Sequence, residues 1–283
     1  MADTTTTVPS HEKETINTTG ADHTNGANAT SRYDYGHNPL AHVHSGPDGR
    51  LPAFGGEFQP GLYRPIEGRK FANPAPLGLS AFALTTFVLS LVNCGARGIA
   101  EPNIALSLAY GYGGLVQLLA GMWEMAVGNT FGATALSSYG GFWISYAIVL
   151  TPGFAVLDDY TAEADVASVL GFFLAGWFIF TAILLICTLR STVMFFLLFF
   201  TLDLAFLMLS CSEFAASNGA TQSSTMLKQA GGGFGLLAAF FAWYNAFAGI
   251  ADSSNSFFLI PVFHFPWSEK GREARGKTAR ETV

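Results

Sequence analysis

Six apolar stretches, each close to the length a helix needs to cross a bilayer, leave this chain very few folds. They run over Leu77–Asn93, Ile104–Ala126, Phe131–Leu150, Ser168–Leu189, Thr192–Ser212 and Gln229–Ala251. The hydrocarbon core is about 30 Å thick and takes roughly 20 apolar residues in helix to span. Lipid offers no partner to an unpaired amide, so a crossing segment is either a helix or part of a closed barrel. The alternation of a barrel strand is absent, and each run is apolar on all sides. The expected class is an all-α membrane protein with six transmembrane helices.

Composition supports this. Half of the 283 residues are hydrophobic, 26 are Phe, and only 12% are charged, against about a quarter in a soluble domain. The bias divides the chain into three parts. Residues 1–70 are rich in Thr, Asn, Gly, His and Pro, the composition of a disordered tail. Residues 71–267 hold the transmembrane domain, and 268–283 form a basic tail. The polar start argues against a cleaved leader, so the first helix is expected to act as its own insertion signal. Within Asn255–Trp267, Pro261 and Pro266 interrupt an aromatic stretch that suits the membrane interface rather than a seventh crossing.

Basic residues mark the cytoplasmic side. Arg64, Arg69 and Lys70 precede the first run, Arg190 lies between the fourth and fifth, and Lys270, Arg272, Arg275, Lys277 and Arg280 follow the last. They agree only if both termini are cytoplasmic. The opposite side then takes Asp158, Asp159, Glu163 and Asp165, with the loops carrying Arg97 and Lys228. In that orientation the sequons at Asn17 and Asn28 stay unglycosylated. His37, His42 and His44 read as solvated tail histidines rather than metal ligands. Cys94, Cys187 and Cys211 form no paired motif and read as small packing residues. No metal or other cofactor is implied. A net charge of −6 without a basic stripe gives no sign of nucleic-acid binding.

Small residues let helix backbones approach in lipid. Gly111, Gly113, Gly114 and Gly121 lie in the second run, Gly132, Gly140 and Gly141 in the third, and Gly231, Gly232, Gly233 and Gly235 open the sixth. Some would close the bundle and others join subunits. Ionisable groups inside a span are costly and mark candidate sites. Asp203 sits midway along the fifth run, suited either to proton coupling or to a structural hydrogen bond. Glu124 reaches the headgroups or pairs with the Asn129 region, or else, with Gln117 two turns away on one face, it lines an inner vestibule or locks helices together. Asn93, Tyr244 and Asn245 carry the same ambiguity. Ser137, Ser138 and Tyr139 place hydroxyls beside Gly140, and hydroxyls suit a small carboxylate because they donate without a fixed charge. There is no Ser-His-Asp order, no zinc-protease motif and no Walker loop, so neither catalysis nor ATP-driven pumping is expected.

Asn73-Pro74-Ala75-Pro76-Leu77-Gly78-Leu79 matches a signature, and the chain resembles the acetate uptake transporter family (GPR1/FUN34/YaaH) in its fungal form. Residues Tyr112–Gln117, Glu124, Gly128–Phe131 (with Asn129 and Thr130), Ser138–Gly140 and Ala242–Ala246 carry the likeness further, over about residues 71–267. The resemblance implies a plasma-membrane carrier or channel for acetate and other short monocarboxylates, proton-coupled and hexameric, with a pore in each subunit and, in some relatives, ammonia export. It also implies an apolar girdle of Phe82, Tyr139 and Leu202. Asp203, next to Leu202, is not carried over by the resemblance.

Three readings are open at this point. The first is a proton-coupled monocarboxylate transporter. The second is a passive channel for acetate or ammonia. The third is a membrane acetate sensor signalling through its long tail, which would lose its output if residues 1–60 were deleted while a transporter kept its flux.

Overall fold

The computed structural model describes residues 71–252, 254–273 and 276. The long N-terminal tail with its sequons and histidines, and Arg64, Arg69, Lys70, Arg275, Lys277 and Arg280, lie outside the described residues. Six helices are long and apolar enough to cross a membrane: α1 Ala75–Asn93, α2 Asn103–Val127, α3 Thr130–Leu150, α4 Glu163–Cys187, α5 Val193–Ser217 and α6 Thr221–Ile250. The protein is a multi-pass, all-α membrane protein. At about 1.5 Å per residue, the 19 residues of α1 span about 28 Å.

The helices start and stop where local chemistry permits. Asn73 Oδ1 accepts from the Ala75 amide at 3.1 Å, and Pro76 falls in the first turn, where its missing N–H costs nothing. The signature thus fixes the entry of α1. Asn129 caps α3 by accepting from the Gly132 amide at 3.0 Å, and Thr192 caps α5 by accepting from the Phe195 amide at 3.3 Å. Three helices outrun their apolar stretches, and α4 begins at Glu163 rather than Ser168, which puts Glu163 and Asp165 in its first turn and not in the preceding connection. α5 continues past Ser212 to Ser217, and α6 begins at Thr221 rather than Gln229. Hydropathy senses only lipid-facing length, while backbone hydrogen bonding carries a helix on into water. Lys228 is therefore not a loop residue, as its place between two apolar runs suggested, but lies two turns inside α6.

α6 packs on both α1 and α5, α4 on α5, and α2 on α3. Glycines set the closest approaches. A Cβ on Gly140 of α3 would stand 2.7 Å from the Leu118 amide nitrogen of α2, and one on Gly232 of α6 would stand 2.9 Å from the Ser90 carbonyl of α1. Gly111, Gly141 and Gly233 have nothing near them and so take no part in closing the bundle. Within α2, residues Gly111–Val116 form a π-helical segment. Such turns shift the register of the helix beyond them, and the first residue past this one is Gln117.

After α6, the aromatic segment folds back on the α4–α5 turn. The Val193 amide donates to the Phe263 carbonyl at 2.8 Å, Trp267 Nε1 to the Leu189 carbonyl at 2.7 Å, and the Tyr244 hydroxyl to the Pro261 carbonyl at 2.6 Å. Burial, with Lys270 nearby, pushes the His264 imidazole below its ordinary value, so it is neutral near pH 7.

Candidate functional site

Two cavities lie inside the bundle, and Phe82 and Leu202 belong to the walls of both. The larger, about 230 Å³, extends toward the α5–α6 connection; the smaller, about 20 Å³, lies on the other side and also includes Tyr139. The Phe82 and Tyr139 rings meet at 5.9 Å between centroids, and all three side chains are 5% exposed or less. Tyr139 is held from behind by a 2.9 Å hydrogen bond between its hydroxyl and Thr181 Oγ1 of α4. Phe180 and Phe199 pack around its ring.

Polar groups line both cavities. Thr86 is one turn from Phe82 on α1, and Trp143 one turn from Tyr139 on α3, so each shares a face with its partner. Both line the larger cavity, and Thr86 Oγ1 and Trp143 Nε1 are buried without a hydrogen-bond partner. In the smaller cavity Gln117 is fully buried, and neither its amide nitrogen nor its oxygen has a partner. Leaving a buried donor or acceptor unsatisfied costs about 1–3 kcal/mol, so such atoms concentrate where a passing polar molecule can meet them. Among the described residues, Glu213 and Lys228 are the only charged ones in the wall of the larger cavity, and the smaller has none.

The remaining candidates fall elsewhere. Glu124 is fully buried and accepts from Asn129 Nδ2 at 2.7 Å. Since Asn129 also caps α3, this pair locks α2 to α3. Thr130 is exposed and Ser138 half-buried, and neither belongs to the walls of these two cavities. Asp203 is half-buried, with Oδ1 buried and unpartnered, and it too lies outside both walls. Leu79 of the signature lines the smaller cavity while Leu77 is exposed at 48%. No group of three or more metal-ligating side chains occurs among the described residues.

The model of the GPR1/FUN34/yaaH family matches residues 54–267. This chain belongs to that family. Acetate permease A of Emericella nidulans is 67% identical over 258 residues, covering 89% of this chain and 85% of its own. Ammonia transport outward protein 2 of Saccharomyces cerevisiae is 51% identical over 224 residues, 79% and 77% of the two chains. A solved structure of the bacterial acetate channel SatP superposes with a TM-score of 0.59 at 33% identity, covering 68% of this chain and 99% of that one. The family match embraces all six helices, both cavities and the signature that opens α1.

Several residues of the site escape a reading of the sequence. Thr86, Trp143 and Thr181 sit in apolar runs where hydroxyls and indoles are usually packing. Glu213 falls just beyond the apolar stretch of its helix. The hint for Thr86 and Trp143 was the four-residue spacing from Phe82 and Tyr139.

Proposed function

We propose that this protein is a plasma-membrane transporter for acetate and other short monocarboxylates, with the path running through each subunit between the two cavities. Phe82, Tyr139 and Leu202 form the narrowest point. One observation carries this reading: unpartnered donors stand on both sides of an apolar neck. The Thr86 hydroxyl and Trp143 indole receive the carboxylate in the larger vestibule, and the Gln117 amide receives it beyond the neck. A girdle without fixed charge excludes hydrated ions, whereas a small acid stripped of water passes when it is neutral or briefly held. The names of the relatives and the solved channel agree with acetate as the substrate.

With both termini, and so the tails 1–70 and 268–283, in the cytoplasm, the larger cavity faces outward. Assembly is a homo-hexamer, and protons accompany the acid. No bond-making chemistry is assigned. The second reading is an uncoupled channel for acetate or ammonia, favoured by the lack of charge at the neck and by the ammonia transporter among the relatives. Radiolabelled acetate uptake into proteoliposomes, set against protein-free vesicles that report leakage of acetic acid, decides between them. Accumulation above equilibrium under an inward proton gradient is the expected result. Equilibration alone would make it a channel, and no protein-dependent flux would remove the transport reading.

A further inference from the structure

The larger cavity ends, at the side away from the neck, in a pair of opposite charges. Glu213 of α5 and Lys228 of α6 both line it and interact electrostatically. Tyr146 of α3, in the same wall, also senses the Glu213 charge, and Asn93 of α1 completes the polar rim. Both charged residues are half-buried. Eleven residues separate Leu202 from Glu213 on α5, about 16 Å along the axis, so the pair guards the mouth and not the neck. Between them the wall is mostly Leu, Phe and Ala.

We propose that Glu213 and Lys228 form a mouth site that loads one proton with each carboxylate. The inference rests on the transport reading above and supplies its coupling step. The empty pair is neutral. Lys228 attracts an incoming carboxylate anion, which leaves two carboxylates and one ammonium in a confined apolar vestibule. Two carboxylates sharing a site cannot both stay ionised cheaply, so the site takes one proton from the outside water, shared between the substrate and Glu213. The substrate then leaves toward the neck as the neutral acid with that proton, and Glu213 and Lys228 return to their opposite charges. One anion and one proton enter, one neutral acid moves on, and no titrating group is needed at Phe82, Tyr139 or Leu202. Asp203, outside both cavity walls, is not required by this scheme.

The test is the dependence of the acetate KM on external pH, from about pH 5 to 8, in proteoliposomes. Binding that takes up one proton makes KM for total acetate rise toward tenfold per pH unit. In Glu213→Gln the lone ammonium neutralises the anion without a proton, so KM becomes flat with pH and gradient-driven accumulation is lost. Glu213→Asp restores the slope. Lys228→Gln raises KM about tenfold and removes its sensitivity to salt. Should Glu213→Gln move too little acetate for kinetics, the pH dependence of its stabilisation against heat by acetate gives the same readout without flux. An unchanged slope in Glu213→Gln would overturn the mouth site while leaving acetate transport intact. A wild-type protein that moves no acetate would bring down both.

Discussion

Replacing Gln117 by leucine is expected to cut protein-dependent acetate uptake by about 10–100-fold while leaving the protein at least as stable. The two effects have opposite signs because one side chain serves two masters. In the resting protein the Gln117 amide is fully buried and neither polar atom has a partner, a state that costs about 1–3 kcal/mol. An apolar side chain of similar size removes that cost, so the midpoint of thermal unfolding stays or rises. When the neutral acid reaches the smaller cavity, the amide donates to its carbonyl oxygen and accepts from its hydroxyl, replacing two hydrogen bonds to water. Each hydrogen bond between neutral groups is worth about 0.5–1.5 kcal/mol, so the two come to about 1–3 kcal/mol, and each 1.4 kcal/mol is about tenfold. Uptake and thermal unfolding measured on the same preparation check both signs. A parallel fall in stability and flux would instead mark Gln117 as an ordinary packing residue.

The second large effect is on selectivity. Leu202→Ala is expected to raise propionate uptake relative to acetate by about 10–200-fold, the discrimination that one methylene commands in a tight apolar site. Leu202 lines both cavities and is 5% exposed, so shortening it widens the passage itself. Phe82 and Tyr139 stay in place, since their ring contact and the Tyr139–Thr181 hydrogen bond do not involve it. Competition between labelled acetate and propionate gives the ratio directly. An unchanged ratio would mean that Leu202 does not border the path.

The six crossings were legible because lipid leaves the backbone one choice, and length plus apolarity then suffices. The ends of α5 and α6 were not, because Phe214–Ser217 and Thr221–Lys228 are helical in a region where hydropathy has already fallen. That error placed Lys228 in a loop and left Glu213 unnoticed, though the two line one cavity. Gln117 and Glu124 share a helical face by spacing, yet the structure gives them different neighbours. Just past the π-helical segment, Gln117 opens onto the smaller cavity, whereas Glu124 is drawn to Asn129. A spacing rule puts both on one face but cannot say which of them finds a partner there. The signature was legible as a motif, but its physics is local: Asn73 turns the chain, Pro76 opens the helix, and Gly78 admits Leu136.

The central claim is that acetate passes between Phe82, Tyr139 and Leu202. The most direct test is acetate uptake by proteoliposomes containing Leu202→Trp beside wild type, at equal amounts of folded protein. An indole there fills the neck without adding charge. The account predicts that protein-dependent uptake falls to the level of protein-free vesicles. Uptake at the wild-type rate would contradict it and put the path elsewhere.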